Sequence, residues 1–174
     1  MTPPDTDILI SRERIATRVS GLGEEILLDF KGTVPCFVPV MSGGMIFAAD
    51  LVRSLPVPLT IHPVSASSYG SSRVSSGSVQ IEGILPRDFA GKHVLLVDDI
   101  LDTGLTLRIL EKKIREAGAK DVKTCVLLRK ASAAHLAADY VGFEIPDRYV
   151  IGYGLDLDGL HRNLPDIAAL RNSA

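Results

Sequence analysis

Apolar residues fall along this chain in two rhythms. Five runs are apolar or β-branched at nearly every position: Val34 to Val40, Val57 to Ile61, His93 to Val97, Lys123 to Leu128 and Tyr149 to Tyr153. Runs of that length predict buried strands. Between several of them the spacing changes to three and four. After Thr106 apolar residues stand at Leu107, Leu110, Ile114 and Ala117, one face of a helix that Gly118 is placed to end. Met45, Ala48, Val52 and Leu55 make a second stripe after Gly43 and Gly44. Ile15, Val19, Leu22 and Ile26 make a third behind Ser11 as a cap, although Gly21 and Gly23 weaken it. Strands alternating with helices, some of them almost continuously apolar, predict an α/β fold: a mainly parallel twisted sheet flanked by helices.

One stretch breaks the rhythm. Residues Ser65 to Ser78 hold eight serines, two glycines and one tyrosine, with almost no apolar anchor. Composition alone fits a plain linker. A loop of that length inside a compact domain is unusual unless it closes over a ligand, and a lid is the alternative.

The 174 residues suit one domain, and at 46% hydrophobic content the chain can build its core without staples. A net charge of −2 argues against bulk nucleic-acid binding, which demands a basic surplus. Cys36 and Cys125 each sit inside an apolar run and read as buried strand thiols rather than a disulfide. The stretch Met1 to Asp7 is proline-rich and acidic, without the basic and apolar regions of a signal peptide. No apolar run approaches the ~18 residues of a membrane span. These features predict a cytoplasmic protein with no membrane partner.

The richest chemistry lies in His93-Val94-Leu95-Leu96-Val97-Asp98-Asp99-Ile100-Leu101-Asp102-Thr103-Gly104-Leu105-Thr106. A buried strand runs out into two adjacent carboxylates, then a third, then a small-residue turn that opens a helix. Ligands of open α/β sheets sit at this end of the strands. The amides of Thr103 to Thr106, with two threonine hydroxyls beside them, make a cradle for a phosphate monoester. Asp98 and Asp99 would repel phosphate alone. A ligand bearing both phosphate and a diol resolves the conflict, because carboxylates accept strongly from hydroxyls. A magnesium ion would soften what repulsion remains. The segment therefore predicts a ribose 5-phosphate.

Val-Asp-Asp after a strand also opens response-regulator receiver domains. There the acids follow the first strand, whereas 97 residues precede Asp98 here, and no later apolar strand runs into a suitable aspartate. A solvated acidic turn is the bland alternative, and three carboxylates within five residues make it a poor one.

The segment resembles the phosphoribosyl-pyrophosphate (PRPP) signature of type I phosphoribosyltransferases, and the resemblance extends from about Ile8 to Leu170. Ile8 to Glu13 resembles the opening of hypoxanthine phosphoribosyltransferases. Met41-Ser42-Gly43-Gly44 falls at that family's pyrophosphate loop, and Ser68-Tyr69-Gly70 falls in its mobile lid. Val141 to Asp147, continuing through Val150 to Asp156, is the most discriminating stretch, since adenine and orotate enzymes lack it.

The resemblance implies roles residue by residue. Asp98 and Asp99 match the acids on the ribose hydroxyls, and Asp102 the catalytic acid that handles the proton at N7 of the base. Thr103, Gly104, Leu105 and Thr106 match the 5-phosphate loop. Ser42, Gly43, Gly44 and Arg162 match pyrophosphate-binding positions, with Ser68 and Tyr69 in the lid. Lys130 matches the donor to the 6-oxygen of the purine. Read without the family, a strand-end lysine is a solvated edge charge. Tyr149 matches the ring stacked on the base, though core packing would also explain it. Val150 matches a backbone reader of the base edge. Asp156 matches a purine-pocket residue and, with Asp98 and Asp99, a magnesium ligand. Two positions depart from the family: Leu105 and Ser42 stand where basic residues are usual. Leu157 to His161 departs as well, which leaves the choice among hypoxanthine, guanine and xanthine open. In relatives the peptide before the position of Ser42 adopts a cis form, so the same is expected of Met41-Ser42.

Taken whole, the resemblance implies one domain over residues 1–174: a core of about 30–135, a small hood from about 1–25 and 140–174, and a lid at about 65–80. It implies purine salvage, with hypoxanthine or guanine and PRPP giving the nucleoside 5′-monophosphate and pyrophosphate. Mg2+ is the implied cofactor, and the enzyme is expected to be a homodimer or homotetramer. The rival readings are a xanthine-preferring transferase and a nucleotide-sensing regulatory homologue, the latter unsupported by any basic face.

Overall fold

The computed structural model describes residues 5–33, 35–68, 79–82 and 89–171. Its elements follow the order β1 (Thr6–Ile10), α1 (Arg12–Asp29), β2 (Cys36–Met41), α2 (Met45–Arg53), β3 (Thr60–Ile61), β4 (Val64–Ser68), β5 (Val79–Glu82), β6 (His93–Leu101), α3 (Leu105–Glu116), β7 (Asp121–Lys130), β8 (Tyr140–Ile145), β9 (Val150–Ile151) and β10 (Ile167–Leu170). The main sheet runs β5-β4-β2-β6-β7-β8, with β3 also paired to β2. Among the described residues only the β4–β5 pair of this sheet is antiparallel; β2, β3, β4, β6, β7 and β8 pair in parallel. The predicted mainly parallel sheet is therefore present. Its strands are apolar on both faces because helices cover both.

One face carries α1 and α2. Ile15, Val19, Leu22 and Ile26 of α1 are buried with Phe47 and Leu51 of α2 against Leu95 and Val97 of β6. Gly23 brings the two helices together: a Cβ there would lie 2.3 Å from the Ser54 hydroxyl, so the glycine that weakens α1 locally is required by its packing. Ser11 occupies the N-cap position of α1, but its side chain makes no capping hydrogen bond; its carbonyl accepts from Ile15. The other face carries α3, whose Leu107, Leu110 and Ile114 pack on Val94, Leu96 and Val126. Each such side chain contributes roughly 1.5–3 kcal/mol by leaving water. Gly118 follows α3 in the left-handed conformation (φ +89°), as its place after the stripe predicts.

The chain ends form a separate three-stranded sheet, β1-β10-β9, all antiparallel. β8 is the edge strand of the main sheet, and α1 packs on that sheet.

Other differences have physical causes. The run Val57 to Ile61 is strand only at Thr60 and Ile61, because β2 offers it partners only at Cys36 and Phe37. The run Tyr149 to Tyr153 is strand only at Val150 and Ile151, since Gly152 and Tyr153 turn into the left-handed region. The start of the serine stretch is strand rather than loop, because Ser65 to Ser68 pair with Val79 to Glu82. Tyr69 and residues 70–78 lie outside the described residues. On α2 the buried face is Phe47, Ala48 and Leu51, while Met45 is 47% exposed. Cys36 and Cys125 are free and buried as expected, and burial raises both thiols above their usual range.

Candidate active site

β6 does not stop at Val97. Its neighbour β7 is long enough to pair with Asp98, Ile100 and Leu101, so the acids continue the strand. On its other side β2 pairs only as far as Pro39 with Val97. Beyond that point the chain turns away through a cis peptide between Met41 and Ser42, the form expected there. The sheet thus opens beside Asp98 and Asp99, and a cleft of about 690 Å³ occupies the gap.

Asp98 is only 7% exposed. Burial and the neighbouring Asp99 carboxylate push it well above the usual carboxylate range. Its carboxylate accepts the Asp99 amide at 3.0 Å. Burial raises Asp99 too, against the opposing pull of Arg162 and the bond to Asp98. Asp99 lies directly over the turn after β2: a Cβ on Gly43 would sit 2.0 Å from its Oδ2. No side chain larger than hydrogen fits there. Ser42 and Gly43 line the cleft, whereas Gly44 sits behind them as the N-cap of α2.

Across the cleft Asp102, Thr103, Gly104, Leu105, Thr106 and Leu107 form its floor. Gly104 is left-handed (φ +71°), and a Cβ there would meet the Leu136 side chain at 2.8 Å. The first helical hydrogen bond of α3 runs from Arg108 N–H to the Gly104 carbonyl at 3.0 Å, so the amides of Leu105, Thr106 and Leu107 precede the ladder. A long 3.4 Å contact links the Leu105 amide to the Thr103 hydroxyl. Anion-binding geometry of this kind depends on amides and a helix terminus rather than on a basic side chain.

A smaller pocket of about 200 Å³ adjoins the cleft and shares Asp99, Ile100, Asp102 and Asp156 with it. Lys130, Tyr149, Val150 and Leu155 complete its walls. Lys130, at the end of β7, reaches Asp102 Oδ2 at 2.7 Å and is 19% exposed. This is no solvated edge charge. Tyr149 is 52% exposed and lines the pocket.

The remaining wall is the segment Gly152 to Arg162. Tyr153, Asp158 and His161 have positive φ, as do Gly152, Gly154 and Gly159. Non-glycine residues in that region persist where surrounding bonds over-determine them. Arg162 reaches Asp156 Oδ1 at 2.7 Å and the Gly154 carbonyl at 2.5 Å. Asp156 Oδ2 accepts the Gly159 amide at 2.7 Å.

The cleft and pocket thus bring together the expected residues other than Gly44, Ser68 and Tyr69, from four separate stretches of chain. Ser68 ends β4, and Tyr69 lies outside the described residues. Asp98, Asp99 and Asp156 do not make one metal-holding group; among the described residues no such group of three is present. Sequence reasoning gave no site role to Val40, Ser65, Ala66 and Leu107 in the cleft or to Ile100 and Leu155 in the pocket. Only the flanking motifs mark these small and apolar residues.

The phosphoribosyl transferase domain family matches residues 6–158. The hypoxanthine-guanine phosphoribosyltransferase of Bacillus subtilis is 42% identical over 166 residues, covering 94% of this chain and 92% of that protein. The Aquifex aeolicus protein of the same name is 41% identical over 163 residues, covering 92% of each. Among solved structures, the hypoxanthine-guanine phosphoribosyltransferase of Bacillus anthracis superposes with a TM-score of 0.88 at 40% identity, covering 95% of this chain and 98% of that one. The chain belongs to the phosphoribosyl transferase domain family, among its hypoxanthine-guanine phosphoribosyltransferases.

Proposed function

We propose that this enzyme joins hypoxanthine or guanine to PRPP, giving IMP or GMP and pyrophosphate, in purine salvage. The observation that carries the reading is the pairing of Lys130 with Asp102 at 2.7 Å inside a pocket continuous with the phosphate cradle. A 6-oxopurine presents its 6-oxygen and N7 side by side on one edge. A lysine donor next to a carboxylate matches that edge: Lys130 donates to the oxygen, and Asp102 holds the proton at N7 as N9 attacks C1 of the ribose. Adenine turns an amino group toward Lys130, and two facing donors are costly when desolvated. The Tyr149 ring covers the base face, and the Val150 backbone reads its edge.

In the larger cleft Asp98 and Asp99 accept the ribose hydroxyls. The first-turn amides of α3 and the Thr103 and Thr106 hydroxyls hold the 5-phosphate. Ser42, Gly43, Gly44 and Arg162 hold the leaving pyrophosphate, and Ser68 and Tyr69 belong to a lid. The protein's part is mainly to position the reactants and meet the departing charge.

The donor set fits Mg2+. It is all carboxylate oxygen, and this ion binds through one or two carboxylates while keeping waters and substrate oxygens, so a preformed cage of three is not required. Asp98 and Asp99 would hold one such ion and Asp156 a second, each completed by waters and substrate oxygens. Bound with PRPP, Mg2+ would neutralise charge on the diphosphate oxygens. Among the described residues no helix is long and apolar enough to cross a membrane. We infer a cytoplasmic enzyme, working as a homodimer or homotetramer.

Initial rates with PRPP, Mg2+ and each of hypoxanthine, guanine, xanthine and adenine test this. Nucleotide should form from hypoxanthine and guanine, more slowly from xanthine, and not from adenine above background. Failure with both hypoxanthine and guanine, or adenine as the fastest base, would overturn the reading.

A further inference from the structure

Tyr149 lines only the smaller pocket and Arg162 only the larger cleft, while Asp156 lines both. The three are joined. The Tyr149 hydroxyl donates to the main-chain carbonyl of Asp156 at 2.9 Å. The Asp156 carboxylate binds Arg162 at 2.7 Å, and Arg162 donates to the Gly154 carbonyl at 2.5 Å. Gly154 in turn lies against the turn after β2, where a Cβ would meet the Gly43 carbonyl at 2.3 Å. An unbroken series of contacts therefore leads from the ring in the base pocket to the loop at the opposite end of the cleft.

The segment that carries this series has little regular structure to hold it. Its main chain is tied by two single bridges, Gly152 with Leu155 and Leu157 with Leu160, by the Gly154 amide donating to the Arg162 carbonyl at 3.0 Å, and by the Tyr153 amide donating to the Leu164 carbonyl at 2.7 Å. The side-chain bonds just named add to these few main-chain ones and join Tyr149, Asp156 and Arg162. The Tyr149 hydroxyl is redundant for covering a base, since the ring alone presents the π face. What the hydroxyl adds is an attachment to Asp156. Anything that draws Arg162 toward an anion in the cleft also pulls on Asp156, and through its carbonyl on the Tyr149 ring.

We infer that the Tyr149 hydroxyl is a positioning group that couples the base pocket to the diphosphate end of the cleft, so that each occupant strengthens binding of the other. The inference rests on the proposed reading of the two pockets. Coupling of this kind is reciprocal, and its measure is the factor by which one ligand changes the dissociation constant of the other.

The test is calorimetry of hypoxanthine binding to the full-length protein with and without magnesium pyrophosphate, beside a turnover assay with PRPP. In the wild type, pyrophosphate should tighten hypoxanthine by about fivefold or more. Tyr149→Phe keeps the ring and should bring that factor to within about twofold of one. Arg162→Lys, which breaks the series at its other end, should do the same. The double variant should lose no more coupling than either single one, as expected when both act along one series. A ring that merely packs would lower affinity equally in both titrations and leave the factor unmoved. An unmoved factor in Tyr149→Phe, or a wild-type factor of one, overturns the inference. Absence of turnover in the wild type removes the functional reading and the inference together; normal turnover with an intact factor in Tyr149→Phe removes the inference alone.

Discussion

The two walls of the cleft are built by different means. One is the end of β6 and the start of α3, regular elements braced by neighbours on both sheet faces. The other is the segment Gly152 to Arg162, which has few ladder bonds and is held by an ion pair, carbonyl contacts and left-handed residues. Both present charged groups to the same space. The first tolerates a buried carboxylate beside a half-buried one because the apolar strand behind them is anchored elsewhere. The second spends its own side chains on holding itself together, so its functional groups are also its supports. Substitutions in the first wall should therefore separate chemistry from stability, whereas in the second the two should move together.

The largest effect that would test this contrast is at Asp102. Asparagine retains an oxygen for the Lys130 bond and loses the capacity to hold a proton. Removal of general acid–base assistance costs about 10²–10⁴-fold in rate. Asp102→Asn should lower kcat by that order with the KM for PRPP and the thermal midpoint little changed. Steady-state kinetics beside a melting curve would check it, and an unchanged kcat would exclude Asp102 as the proton carrier. Leu110 sharpens the other side of the comparison. It is fully buried under α3, so Leu110→Ala should cost about 2–5 kcal/mol. Chemical unfolding should register that loss while kcat of the folded enzyme stays within about twofold, because the catalytic groups lie beyond the anchored part of the wall.

Gly154 is the place to break the second wall. It is left-handed (φ +104°) and lies against the Gly43 carbonyl. Gly154→Ala meets both constraints, and strained backbone of this kind costs about 1–3 kcal/mol. Because Gly43 belongs to the loop assigned to pyrophosphate, the KM for PRPP should rise about tenfold, the equivalent of ~1.4 kcal/mol, together with a lower melting temperature. Gly91 supplies the control. It too is left-handed (φ +71°), with nothing near the position of a Cβ. Gly91→Ala should lower the melting temperature and leave KM alone. If both variants changed KM alike, the contact between the second wall and the loop would have no functional weight.

The same contrast explains what could be read from the amino-acid order. The interior of β6 and the buried stripe of α3 follow from local periodicity, and the acids and small-residue turn between them announce their chemistry. Local signals failed where partners are distant. Asp98 to Leu101 extend β6 because β7 reaches that far, and carboxylates seldom signal a strand. β4 hides in a serine stretch because the hydrogen bonds that make it a strand come from β5. β1 and β10 each need the other end of the chain. In the second wall, nothing local marks Tyr153, Asp158 or His161 as left-handed, and the bond between Lys130 and Asp102 spans 28 positions. Resemblance pointed to Asp156 and Arg162, but their pairing with each other emerged only from the folded chain.

The smallest expected effect concerns the seam between the walls. Asp147, two residues before Tyr149, accepts from the Ser132 amide at 3.0 Å and the Ser132 hydroxyl at 2.6 Å, tying the chain that leads into the second wall to the turn that follows Lys130. Those bonds from Ser132 hold the Asp147 carboxyl below its usual range. A carboxyl whose folded-state pKa is depressed adds stability above its unfolded pKa and loses it as pH falls through the folded value. The contribution should thus be complete at neutral pH and fade on acidification below about pH 4. Asparagine can still accept from Ser132 but cannot ionise. Asp147→Asn should therefore melt slightly below wild type at neutral pH, and the two curves should converge as the solution is acidified. Melting temperatures of both proteins between about pH 7 and pH 3 measure this. A gap that stays constant or widens toward acid would mean that the charge of Asp147 does not hold the seam, and that the second wall depends on Asp156 and Arg162 instead.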